Sequence, residues 1–457
     1  MDSQRKKKLV LLLAILLTFT VINGTMFNVT IPDIAETFGL LPSQVSWVMT
    51  GYILVYAIGS VMYGKLADMV PLKTLLTVGI LLFSLGSVLG FLSPNYGTLL
   101  AARILQALGG AAIPALGFII PSRYFDTDRG KVFGIISSTV AFASGVGPIA
   151  GGMIGGVLEW RYLFLVPATA CLAIPLFRKW LPDERVHFQK IDYIGAILVS
   201  VFVSTLLLFV TLFVLVITVC IDLVFLVLAF HLNRSDVPFI DPALLKNRKY
   251  AITILTSFFG TSVMFGLIFV LPIMMRDLYD TTTIGIGMVL FPGAMAAGIL
   301  GRYGGMVIDR RGSVYVLRIA LIVISIGVFL ISVFTGFSLW LVAAAVFVAY
   351  IGFPLLQSAT ANLLSTLLDR QTTGIGMGLF NLCNFISGAF SSAIFGSLLD
   401  TTSVTYSINP LNPHGPHSIY SNLYFALSLI AVVALVLFLW IYYYRSKKTT
   451  TTSAPLS

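Results

Sequence analysis

The sequence predicts an all-α polytopic membrane protein made of two six-helix bundles and an inserted two-helix hairpin, and three observations lead there. Of 457 residues, 58% are hydrophobic and only 10% charged, with a mean hydropathy of +0.98; a soluble domain carries roughly 25% charged residues. Apolar windows of about 20 residues, the length a helix needs to cross a bilayer, recur along the whole chain. One short polar loop also occurs twice, in "GKLADMVPLKTLL" (64–76) and "GGMVIDRRGSVYVL" (304–317). Both copies set a glycine four residues ahead of an aspartate, and a bend with a cation follows before the chain re-enters an apolar run.

The first window, 9–31, follows the basic start "MDSQRKKK". That start has the shape of a signal peptide, but no A-x-A-type cleavage site follows and the apolar run continues through "NGTMFNVTI", so it is read as a retained first helix. Five more windows fall at 44–64, 74–92, 97–120, 132–156 and 162–178. The seventh and eighth, 192–211 and 213–231, share one run without a polar turn, whose length fits two short crossings in a tight hairpin better than one. The last six are 251–275, 283–306, 314–335, 338–358, 374–399 and 420–443, giving fourteen in all.

The cations test this count. With an even number of spans and a cytoplasmic N-terminus, lysine and arginine should gather in cytoplasmic loops. Lys6 to Lys8, Lys65, Lys73, Arg123, Arg129, Lys131, Arg178 to Lys190, Arg234 to Lys249, Arg310, Arg311, Arg370 and Arg445 to Lys448 all fall there, and only Arg161 and Arg276 fall outside. Both termini are thus expected inside a plasma membrane. The net charge of +10 is a topology signal, with attraction to anionic lipid as a second effect, and it does not point to nucleic acid. Arg302 and Arg318 are expected to reach along their helices to the cytoplasmic surface.

Without the hairpin, each polar loop joins the second and third helix of a six-helix half. The chain therefore divides into a bundle at 1–187, a hairpin at 188–233 and a second bundle at 234–457, a duplication suited to alternating access.

Polar residues inside the spans are the candidates for a transport pathway. Arg103 and Gln106 share a face of span 4, because three residues make nearly one helical turn. An arginine inside a membrane span costs at least about 2.5 kcal/mol, so Arg103 is expected to face a polar cavity. Asn23 and Asn28 in span 1, Gln357 in span 12, and Asn381 and Asn384 in span 13 offer hydrogen bonds without charge. They fit substrate contact or interhelical packing equally. Asp222 is the acid inside an apolar run; it is either a displaced proton site or a residue near a helix end. Cys171, Cys220 and Cys383 have neither CxxC nor Cys/His spacing, so no disulfide framework or metal site is expected. No HExxH, G-x-S-x-G or P-loop is present in the sequence, which argues against an enzyme and against a cofactor.

The repeated loop resembles the loop motif of the major facilitator superfamily. "GMVIDRRG" fits it throughout at Gly305, Asp309, Arg310 and Gly312; the first copy keeps Gly64, Asp68 and Lys73 but has Met69 and Pro71 where arginine and the second glycine are usual. The resemblance implies that the loops latch the two halves in an outward-facing state, with the intact second copy as the stronger latch. "ARILQALGG" is similar to the family's R-x-x-Q-G signature, with Ala107 in place of glycine. "ASGVGPIAGGMIGG" resembles the antiporter motif of the drug-efflux branches, at Gly145, Gly147, Pro148, Gly151 and Gly152, which implies close helix approach at the seam between halves. With "IDYIGAIL" and "PFIDPALLKNRKY", the chain looks like the fourteen-span drug:proton antiporters, nearest to the Gram-positive tetracycline-efflux proteins of the K and L type.

The departures concern acids. Asn23, Gly24, Ser144 and Gly388 stand where this family or its tetracycline exporters carry carboxylates. The expected function is export of amphipathic drugs by proton antiport, with a facilitator or importer of a neutral or anionic solute as the alternative. The expected partners are a small-molecule substrate, protons and membrane lipid, and the chain is expected to work as a monomer.

Overall fold

In a computed structural model, residues 3–444 are described apart from 41, 46, 126–127, 185–191, 213–214, 236–237, 239, 241–243, 245, 282, 370–371, 402–407 and 413–417. Among the described residues the architecture is helical throughout. The N-terminal half contains α1 (Ser3–Phe38), α2 (Trp47–Leu66), α3 (Leu72–Phe91), α4 (Tyr96–Gly110), α5 (Ala112–Tyr124), α6 (Arg129–Val157) and, after two 3-10 segments, α7 (Ile174–Trp180). An inserted pair follows, α8 (Tyr193–Leu212) and α9 (Leu215–Arg234). The C-terminal half contains α10 (Arg248–Tyr279), α11 (Thr283–Arg311), α12 (Ser313–Phe334), α13 (Leu339–Leu367), α14 (Thr373–Thr401) and α15 (Ser418–Leu439).

Twelve helical stretches are long and apolar enough to cross a membrane, six in each half; α4 and α5 form one of them (Tyr96–Tyr124), and the segmented Trp160–Trp180 forms another. The described apolar parts of the inserted pair are shorter, Ile194–Leu206 and Leu223–Leu232, so the fourteen spans read from sequence stand at twelve plus a helical pair. That pair is tied at one end, where His231 Nε2 lies 2.9 Å from the Asp192 carboxylate.

Local signals set several helix starts. Asn95 caps α4 by accepting from Thr98 N at 2.9 Å while the Thr98 hydroxyl faces back, a reciprocal cap. Asn247 caps α10 through Lys249 N and Tyr250 N. The two repeated loops enter their next helices differently. Pro71 precedes α3 with φ −54°, whereas Gly312 precedes α12 with φ +85°, a conformation that requires glycine there.

One apolar core centres in the N-terminal half, around Leu13, Ile80, Phe83, Ile119 and Phe133, and extends to Ile375 and Phe380 of the other half; the second centres around Leu267, Leu321, Ile324, Val346 and Leu427. The halves meet chiefly along two helix pairs, α2 with α14 and α6 with α11, and α6 also packs on α13 and α5 on α14. Helix α8 packs on both members of the first pair.

Candidate functional site

The repeated loops lie at these two seams and act across them. Asp68, between α2 and α3, accepts from Gly374 N at 3.0 Å and from Ile375 N at 3.2 Å, the first turn of α14 in the other half. Asp309, at the end of α11, accepts from Gly130 N at 2.7 Å and Lys131 N at 2.9 Å, the first turn of α6. Each half thus sends one carboxylate to the N-terminus of the fifth helix of the other half. The helix leaves those N–H groups without intrahelical partners and concentrates partial positive charge there, so a carboxylate is the natural cap.

Glycines let the backbones come close enough for this. A Cβ on Gly64 would lie 2.7 Å from Gly374 O, and one on Gly305 would lie 2.4 Å from Gly130 O. Gly134 meets Gly301 and Gly305, and Gly378 meets Gly64 and Ser60, so both seams repeat the same small-residue contact. Sequence reading found Gly64 and Gly305 through the loop motif but missed Gly130, Gly134, Gly374 and Gly378. The G-x-x-x-G spacing of "GKVFG" and "GIGMG" was the available signal.

Beyond this shared geometry the two loops differ. Asp68 also pairs with Arg123 Nη2 at 2.9 Å, and its side chain is only 7% exposed. Arg123 further donates to Ala67 O at 2.7 Å and lies 3.4 Å from Glu184. Glu184 accepts from Leu72 N and Tyr124 OH, which ties the start of α3 to the end of α5. Lys73 pairs with Asp183 and holds that carboxyl below the usual range. Burial pushes the Asp68 carboxyl up to about 6, against the opposing pull of Arg123, of the Gly374 and Ile375 N–H groups and of Lys65. Asp309 is exposed, as are Arg310 and Arg311, and Arg311 turns away onto Tyr315. The degraded first copy is therefore the more heavily bonded latch, the reverse of what the intact motif suggested. Arg123, in the last turn of α5, supplies the cation that Met69 does not.

Arg103 is not open to a cavity in this state; it is 1% exposed. Its guanidinium lies between the rings of Phe27 and Tyr52, 4.2 and 4.1 Å from their centroids. Its donors go to Val48 O at 3.2 Å and Gln106 Oε1 at 2.9 Å, with Met49 Sδ at 3.8 Å. Gln106 Nε2 donates to Ser87 Oγ at 2.7 Å and Asn23 Oδ1 at 3.3 Å, and Asn23 Nδ2 to Tyr52 OH at 3.3 Å. This network joins α1, α2, α3 and α4. The planar cation is stabilised by two aromatic faces in place of a carboxylate.

The second half has an uncharged counterpart. Gln357 Nε2 donates to Thr261 Oγ1 at 3.0 Å, and Asn384 Nδ2 donates to Gln357 Oε1 at 3.1 Å. Thr261 and Ser257 hydroxyls point back to Asn384 Oδ1. Asn381 Nδ2 and the hydroxyls of Thr256 and Thr360 are buried without hydrogen-bond partners among the described residues. Across the middle, aromatic rings touch between halves, Tyr56 on Phe385 at 4.9 Å and Phe118 on Phe380 at 5.6 Å. The side chains of Asn28, Pro148 and Asp222 lie outside the described residues.

The glycines of "ASGVGPIAGG" do not all lie between the halves. Cβ atoms on Gly147 and Gly151 would strike Thr25 and Met26 O of α1, within the same half, whereas Gly145 faces Ala294 of α11. Two residues turn a helix by about 200°, so Gly145 and Gly147 face opposite ways. Gly152 is exposed. The motif packs α6 against α1 first and against the other half second.

A family profile for the major facilitator superfamily matches residues 13–392. The chain belongs to this superfamily. It is a multi-pass membrane transporter and not an enzyme. It is 28% identical to the riboflavin transporter RibZ of Clostridioides difficile, over 88% of this chain and 90% of that protein. It is 34% identical to the puromycin resistance protein pur8 of Streptomyces alboniger, over 40% of this chain and 37% of that protein. Among solved structures, the proton:xylose symporter XylE superposes with a TM-score of 0.68 at 14% identity, covering 97% of this chain and 96% of that one, a likeness of fold.

Proposed function

We propose that this transporter is a secondary active exporter of amphipathic aromatic compounds, tetracycline-like or multidrug in range, working by alternating access with proton antiport. The observation that carries the reading is the reciprocal capping of α14 by Asp68 and of α6 by Asp309. These bonds close the basic face and must all break for that face to open, which makes a two-state gate. By the distribution of cations, that face is cytoplasmic and both termini lie there. The two inserted helices then serve as spans seven and eight, between bundles at 1–187 and 234–457.

The solute class follows from the interior. Aromatic pairs between the halves and the unpaired donors of Asn381, Thr256 and Thr360 suit a flat ring system carrying acceptor oxygens. Riboflavin and puromycin, in the names of two relatives, are of that kind. Arg103, Gln106 and Asn23 brace the N-terminal half, and Gln357 and Asn384 brace the other. One observation favours a second reading, a facilitator of a neutral solute: the acids whose side chains are described stand near helix ends or in loops.

Everted vesicles containing the transporter, challenged with riboflavin, puromycin, tetracycline and cationic dyes while interior pH is followed, separate the two. Solute-driven proton release, abolished by uncoupler, is the expected result. Uptake indifferent to uncoupler overturns antiport and establishes the facilitator, and no uptake of any aromatic compound overturns the solute class.

A further inference from the structure

The two seams differ in what covers them in the membrane. Helix α8 lies over the α2–α14 pair, whereas beside the α6–α11 pair there is a groove of about 590 Å³ between α1, α6 and α11. Its rims are apolar and open along their length: Ile15 is 42% exposed, Met295 42% and Ile299 58%, all within membrane-crossing helices. Bilayer is the medium they face.

Two polar groups in the groove lack a partner. Arg302 is exposed and forms no ion pair or hydrogen bond among the described residues. The Ser138 hydroxyl is buried without a hydrogen-bond partner among the described residues. They lie at one depth, since Ser138 Oγ is tucked against Gly301, the residue before Arg302. The other hydroxyls in the wall, Thr18 and Thr139, are satisfied by Ala14 O and Ile135 O of their own helices. Arg302 precedes Asp309 by seven residues, so its Cα lies about 10 Å along the helix from the latch. A cation at that depth in hydrocarbon is costly unless an anion meets it or it reaches the headgroups.

We propose that this groove is a binding site for one anionic phospholipid, with its phosphate on Arg302 and an acyl chain along Ile15, Met295 and Ile299. The free cation supplies the charge match. The open length fits a lipid better than a drug, because a drug pocket encloses most of its ligand. The walls come from both halves, so the lipid binds the latched arrangement in preference to the open one and shifts the equilibrium toward it. In effect, lipid covers the second seam as α8 covers the first.

The test uses the full-length transporter in phosphatidylcholine nanodiscs with added phosphatidylglycerol, read by native mass spectrometry and by thermal unfolding. One phosphatidylglycerol should be retained, with a saturable rise in Tm. Arg302→Gln should weaken retention roughly fivefold, the scale of one basic residue at an anionic membrane. Arg302→Lys should keep the preference, and Ile299→Trp, which fills the groove from its exposed rim, should abolish it. Equal retention by wild type and Arg302→Gln overturns the site. Protection by inorganic phosphate equal to that by phosphatidylglycerol also overturns it, as does displacement of the lipid by a compound that the vesicle assay shows to be transported, which would make the groove a substrate port. The readout is lipid retention and not flux, so it stands or fails separately from export.

Discussion

The two seams between the halves start from the same plan and are secured differently. At both, a glycine-bearing helix crosses a glycine-bearing partner, and an aspartate caps the partner's first turn. At the α2–α14 seam the aspartate is buried, ion-paired to Arg123, reinforced through Glu184 and flanked by α8. At the α6–α11 seam the aspartate is exposed, and a groove lies beside it. The seam whose sequence motif is degraded has the larger set of bonds. Motif integrity records one way of building the latch, and a cation arriving from the end of another helix serves as well.

The backbone contacts are common to both seams, so changing them should have the largest effect and treat the seams alike. Gly64→Val and Gly305→Val each drive a side chain into a carbonyl of the other half, a strain of about 1–3 kcal/mol or more that neighbouring backbone cannot relieve. Both variants should insert normally and lose most transport in the vesicle assay. If only one does, the seams differ in more than their latches.

The next effect should separate them. Arg123→Ala leaves the Asp68 carboxylate buried without its cation, at a cost to the closed gate of about 2–3 kcal/mol. Arg310→Ala, at the motif's own arginine, removes an exposed side chain and should cost under about 0.5 kcal/mol. Energy transfer between fluorophores on the two halves at the basic face would report both populations. Equal shifts would place the gating cation back in the motif.

A smaller difference is expected between the aspartates themselves. Asp68→Asn puts an amide NH2 in place of one of the two oxygens that accept from Gly374 N, Ile375 N and Arg123 in a buried site, at about 1–3 kcal/mol. Asp309→Asn does so against Gly130 N and Lys131 N at an exposed one, at about 0.5–1 kcal/mol. Transport rates at matched expression should rank in that order, and a reversed ranking would restore the second loop as the main latch.

The smallest effect is one of pH. The Asp68 carboxyl is raised from 3.8 to about 6 when latched, so latching takes up a proton between those values. The extra stability of the closed face is full below about pH 4 and is lost as pH rises through about 6. Energy transfer should therefore show the closed population rising as pH falls from 6 to 4, and Asp68→Asn should flatten that dependence. A dependence unchanged in Asp68→Asn would assign it to another group.

Much of this was legible in the sequence because the bilayer imposes it. Windows near 20 apolar residues, the cation pattern and the repeated Gly-x-x-x-Asp loop pointed to the helices, to two related halves and to two aspartates that the structure finds at the contacts between them, since a backbone in hydrocarbon must satisfy its own hydrogen bonds. Asn95 and Asn247 marked helix starts for equally local reasons. Arg103 shows the limit. Its cost in the membrane was readable and its solution was not, because Phe27, Tyr52 and Val48 come to it from other helices.

The sequence by itself determined a twelve-helix core of two related halves, the positions of the loops and which residues could cap a helix, all properties of periodicity, hydropathy and short spacing. Only the tertiary structure decided which helix each aspartate caps, which arginine serves the first latch and which way each glycine of the α6 run faces. Those outcomes depend on groups far apart in the chain, such as Asp68 with Gly374 or Gly130 with Asp309, whose meeting is set by packing between halves. A local pattern fixes the direction in which a side chain leaves its helix, and the neighbouring helices fix what it meets.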